Sequence, residues 1–232
     1  MKRTLWTCMM AFTPVSYRIA TVIGMVFTSA AGFFLTKYMG LSTALVVAPL
    51  SMVVIALIDY FAFSGVSTRK EKCMELMKSS LYGTEILCKA MKLDIVLKMV
   101  TMVLCFMGSF IGCILYEAGI LLVLSALFAT MAVTALTLIF TRRKGLSIVV
   151  HTMIIYFMSM VLNGVLLALL LSMVEGITDV TQSDTTFTNV VVPLIIVGLA
   201  ALAVLLGILL YRDCVKGYES GFCDNSETGV EK

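Results

Sequence analysis

Between Ala118 and Phe140 the chain reads AGILLVLSALFATMAVTALTLIF, without one charged side chain and without alternation of polar and apolar positions. A bilayer core about 30 Å thick takes roughly 20 residues of helix at 1.5 Å each. A continuous run of this kind predicts a membrane-spanning helix, because only a helix satisfies its own backbone hydrogen bonds in lipid. Outward from it, five further runs have the same character: Ile19–Tyr38, Leu41–Phe63, Met99–Tyr116, Leu146–Val174 and Val190–Tyr211. The expected fold is therefore an all-α integral membrane protein of six transmembrane helices.

Composition agrees. Apolar residues make up 60% of the chain and charged residues 13%, against about 45–50% and 25% in soluble domains. Too little charge remains to cover a water-facing surface, which argues against a soluble enzyme, a nucleic-acid binder and a secreted disulfide scaffold. With both termini in the cytoplasm, 16 of the 17 Lys and Arg fall inside and Lys37 alone falls outside, the bias expected of a cytoplasmic face. None of the seven cysteines lies in an expected outer loop, so free thiols are expected.

Three regions follow from this reading. Residues 1–18 mix Trp6, Phe12 and Tyr17 with Lys2, Arg3 and Arg18, as an interfacial segment would. Residues 19–211 form the six-helix domain. Residues 212–232 are polar and glycine-containing and are expected to be a flexible cytoplasmic tail.

The segment 64–98 is the one sizeable cytoplasmic element. Thr68 and Glu71 have the spacing of a capping box. Behind them Cys73, Leu76, Met77, Ser80 and Leu81 share one helical face, while Lys72, Glu75, Lys78 and Ser79 share the other. Gly83 is expected to break this helix. A second begins near Thr84, with Glu85 and Lys89 at the favourable i, i+4 spacing. The expected form is an amphipathic helical hairpin against the inner leaflet.

Chemistry is sparse. Asp59 lies near the inner end of the second span and Glu117 in the outer turn after the third, so they cannot act as an acid–base pair. His151, near the inner end of span five, reads as a hydrogen-bonded interfacial residue. No catalytic residue, no metal site and no phosphate-binding loop is found, so an enzyme is not expected. Small residues recur at close-packing spacing: Ala20, Gly24, Thr28, Gly32 and Thr36 in span one, and Gly108 and Gly112 in span three. The span-one stripe fits either packing within the chain or a subunit interface. Asn163, deep in span five, fits either a pathway lining or a hydrogen bond to a neighbouring helix.

The run Thr68-Arg-Lys-Glu-Lys-Cys-Met-Glu-Leu-Met-Lys-Ser-Ser-Leu-Tyr-Gly-Thr-Glu-Ile-Leu-Cys-Lys-Ala-Met91 resembles the coupling region of type 2 ABC exporter permeases. Glu75-Leu76-Met77, Ser79-Ser80 and Glu85-Ile86-Leu87-x-Lys89 stand where that family has an acidic residue with an apolar pair, a Ser-rich turn, and an acidic-Ile-Leu-x-Lys run. Lys72-Cys73 and Leu81 replace a Gly-Thr and a Pro often found there, as in a divergent branch.

The resemblance implies a permease subunit in a bacterial plasma membrane that forms a pathway with a second copy or a paralogue. It implies a separate cytoplasmic ABC ATPase, which would hold the ATP and Mg, so that this chain binds no cofactor. Glu75, Lys78, Ser79, Glu85 and Lys89 would then contact that ATPase, and Ala20, Gly24, Thr28 and Gly32 the second permease. Two alternatives stay open: a substrate-capturing subunit of a vitamin uptake transporter, and a membrane scaffold that moves nothing. A charged hairpin at 64–98 is needed by an exporter and by neither rival.

Overall fold

Continuous apolar runs are helical wherever the computed structural model describes them; it describes residues 13, 15–39, 43–59, 82–116, 120–143, 148–180 and 185–220. Among these no strand occurs. In chain order the elements are α1 (Val15–Met39), α2 (Thr43–Asp59), α3 (Gly83–Leu115), α4 (Ile120–Arg143) and α5 (Ile148–Tyr156). A π-helical turn, Phe157–Leu162, joins α5 to α6 (Asn163–Val180), and α7 (Thr185–Ser220) follows.

Five helical stretches among the described residues are long and apolar enough to cross a membrane, and α2 contributes a shorter apolar helix. The chain is thus an all-helical protein of membrane-embedded character. The expected second span extends past Asp59 into residues that lie outside the described ones.

The helix expected to begin near Thr84 starts at Gly83 and runs on into the third span as α3, one unbroken helix to Leu115, while the first helix of the expected hairpin lies outside the described residues. No Gly or Pro occurs between Thr84 and Met107, and the i, i+4 pairs Glu85–Lys89 and Asp94–Lys98 both form. Likewise α7 continues through 212–220, where a flexible tail was expected to begin. Cys214, in the first of the added turns, lies with Tyr211 against the buried cluster of Ile95, Leu138 and Leu210.

The centre of the bundle is α4. Its apolar window is 72% buried, against 17% for α1 and α7. It packs most extensively on α7, while α1 packs most extensively on α3. Val47 and Ile55 of α2, Met102 and Phe106 of α3, Val123 and Leu127 of α4 and Leu167 of α6 form one core. Polar residues on α4 are self-sufficient: Thr130, Thr134 and Thr137 each donate to the carbonyl four residues earlier. That lets a helix be enclosed on most sides without orphaned hydroxyls. Outward-facing Ile19, Ile23, Phe27 and Phe34 of α1 and Leu194, Val197 and Val204 of α7 present an apolar surface suited to acyl chains.

Helices α1 and α3 touch through small residues. The Gly108 N–H donates to Ser29 Oγ at 3.0 Å, and Gly112 meets the Thr36 side chain. Side chains this small let the two backbones approach directly, the geometry that Gly108 and Gly112 suggest from spacing alone.

Candidate functional site

Four charged side chains converge at one end of the bundle. Asp59 is the last residue of α2, Asp94 and Lys98 lie a turn apart on α3, and Arg142 stands in the last turn of α4. Asp59 Oδ1 accepts from Lys98 Nζ at 2.5 Å, and Oδ2 accepts from Arg142 Nε at 3.1 Å. Arg142 Nη2 also donates to Asp59 Oδ1, and to Asp94 Oδ2 at 2.6 Å. Lys98 Nζ closes the ring by donating to Asp94 Oδ2. Arg142 Nη1 lies 3.9 Å from Cys214 Sγ of α7.

Asp59 is fully buried, and the Arg142 side chain is 6% exposed. Isolated charges so placed would be very unfavourable, and pairing with hydrogen bonds is what makes them tolerable. The two-pronged Arg142–Asp59 contact fixes orientation as well as distance. Two acids and two bases make the cluster formally neutral. Asp59, fully buried, depends on its two cations for compensation. The cluster can tie α2, α3 and α4 into one unit, with α7 at its edge.

His151 on α5 is next to this unit. Its Nε2 is 3.4 Å from the carbonyl oxygen of Ala56, one turn before Asp59; the ring is buried and has the hydrogen-bonded role expected of it.

The residues singled out from sequence divide sharply. Glu75, Lys78 and Ser79, and also Glu117, lie outside the described residues. Glu85 and Lys89 pair on the surface of the first turns of α3, with side chains 56% and 39% exposed. Such a pair is worth about 0.3–0.5 kcal/mol. Lys89→Ala is accordingly expected to change the apparent Tm in detergent by no more than about a degree or two. A larger fall would mean that the pair is part of a wider network.

Of the small-residue stripe in span one only Ala20 is exposed; Thr28 is buried, a Cβ on Gly24 would meet Val54 of α2, and one on Gly32 would meet Ser109 of α3 and Val47 of α2. This face packs within the chain over most of its length. Asn163 is fully buried, and among the described residues neither side-chain atom has a hydrogen-bond partner.

Asp94, Lys98 and Arg142 were not legible as a site. The i, i+4 spacing of Asp94 and Lys98 was a usable signal; the convergence of Asp59 with Arg142, 83 residues away, was not. Among the described residues no group of His, Cys, Asp and Glu could hold a metal ion. Comparison with family models, curated proteins and solved structures returns no match to this chain.

Proposed function

We propose that the chain is the membrane-spanning permease subunit of an ATP-driven transporter, an exporter, that works with a separate ATPase through its 64–98 segment. The observation that supports this most is where the charge cluster sits. Asp59 is the last described residue of α2 before residues 60–81, and Asp94 and Lys98 follow them on α3. Both ends of the charged segment are therefore fastened to the same ion-paired unit. A push on that segment would reach α2, α3 and α4 together, as rigid-body coupling requires.

In this reading ATP and Mg belong to the partner, and the permease carries no catalytic residue of its own. Glu75, Lys78 and Ser79 form the polar face offered to the ATPase, with Glu85 and Lys89 beside it. A second copy or a paralogue completes the pathway in a bacterial plasma membrane. It meets this chain on the lipid-facing side of the bundle, because Thr28 and Gly32 are covered by α2 and α3.

The test is a mild-detergent pull-down from the native membrane with mass spectrometry, beside the charge reversal Glu75→Lys with Lys78→Glu. A Walker-type ATPase should follow the wild type and be depleted at least about tenfold from the variant, the loss expected when like charges replace about 1.4 kcal/mol of contact. Absence of any ATPase after cross-linking would overturn the reading in favour of an uptake subunit or a scaffold.

A further inference from the structure

The membrane helix from α5 to α6 is irregular at one place, the π turn Phe157–Leu162, and its next residue is the unpartnered Asn163. The Asn163 N–H donates to the carbonyl of Met158, five residues back. Both features are uncommon: π turns occur mostly as single insertions in α-helices, and a buried amide without partners is strongly disfavoured. Their adjacency has a geometric cause.

Among the described side chains of this helix the buried ones are His151, Ile155, Ser159, Asn163, Leu167 and Leu170. At 3.6 residues per turn, each step of four overshoots by about 40°, so the positions from 151 to 167 would fan over about 160° of a regular helix. The π turn absorbs one residue without the usual rotation and draws them back onto a single inward stripe. Good packing of Leu167 and Leu170 is thereby bought with a strained turn and a stranded amide. Beside Asn163 there is room to move, since a Cβ on Gly164 would meet nothing within 4 Å.

We propose that this helix is a two-register device, in which the π turn converts to α-helix, rotates Asn163 and the residues after it by about 100° relative to His151, and releases the amide from its partnerless position. The two registers oppose different defects. The present one aligns the buried stripe; the other regularises the hydrogen bonding and frees Asn163. Such a balance is the condition for two populated states. The device rests on this helix alone and stands apart from the transporter reading.

Hydrogen exchange with mass spectrometry on the purified full chain tests it. In the wild type, peptides spanning 157–163 should exchange at least about tenfold faster than those spanning 149–155 and 165–170, which reports local opening. Deleting Met160, an exposed residue of the π turn, removes the extra residue, so a plain α-helix keeps both faces inward. This variant should fold, melt no lower than the wild type and lose the fast exchange. Deleting Leu104, exposed in regular α3, rotates half of that helix and should prevent folding.

Asn163→Leu should raise the Tm and slow exchange in the same segment. The proposal is overturned if 157–163 is as protected as its flanks, if the Met160 deletion fails to fold like the Leu104 deletion, or if Asn163→Leu lowers the Tm.

Discussion

Arg142→Leu is expected to lower the stability of the bundle by about 3–5 kcal/mol, the cost of leaving a buried ion without its partner. The substitution removes the two-pronged contact to Asp59 and the contact to Asp94. Lys98 would then face two carboxylates alone, and a buried net negative charge would remain. The apparent Tm should fall by about 10 °C for a chain of this size.

Adding Asp59→Leu should restore most of that loss. The pair Asp94–Lys98, a turn apart on one helix, is then left complete and neutral. A buried ion pair replaced by apolar residues of similar bulk is often no less stable than the original. The measurement is thermal unfolding of the two single variants and the double, read as a mutant cycle. If each single change costs under about 0.5 kcal/mol, or if the losses simply add, the four groups do not act as a unit.

A comparably large effect is expected at Gly108. A Cβ there would run into the carbonyl oxygen of Ser29 and stand 3.1 Å from the backbone nitrogen of Phe33. Those are backbone atoms of α1, which cannot yield by turning a rotamer. Gly108→Ala must therefore push α1 away from α3, break the hydrogen bond to Ser29 Oγ and open the core along Thr36. Overpacking usually costs about 1–3 kcal/mol when side chains can adjust, and here the whole helix has to shift, so the upper end or beyond is expected. Gly198→Ala is the matched control. It faces open space on α7 and should gain up to about 1 kcal/mol from helix propensity. Equal melting of the two variants would show that α1 and α3 are not in backbone contact.

Local features of the sequence carried the fold well. The uncharged run behind Ala118 became the enclosed helix α4, and the GxxxG of Gly108 and Gly112 marked a close helix contact, because both signals depend only on neighbours along one helix. Helix ends were harder to read. Polarity placed the start of the third span at Met99, yet Asp94 and Lys98 belong to the same packed helix, with their charges satisfied by Asp59 and Arg142 from other elements. The same reason hid the site: a carboxylate at the end of an apolar run looks like an interfacial residue until its distant partners are known. The π turn was hidden too, since no residue type encodes it. The unusual length of the run Leu146–Val174 was its only trace.

One consequence of the continuous α3 concerns leverage. Its 33 residues extend about 50 Å, whereas the hydrocarbon layer is about 30 Å thick. With its Leu115 end set at one face of such a layer, the Gly83 end would project beyond the other, like the long arm of a beam whose fulcrum lies in the lipid. A tilt of about 10° around the bilayer midplane would swing that end by about 6 Å, given an arm of about 35 Å. Close to the fulcrum the same tilt displaces Gly108 very little, which leaves its contact with α1 undisturbed. Large excursions at one end and small ones at the other thus come from a single rigid rod, with no bend required.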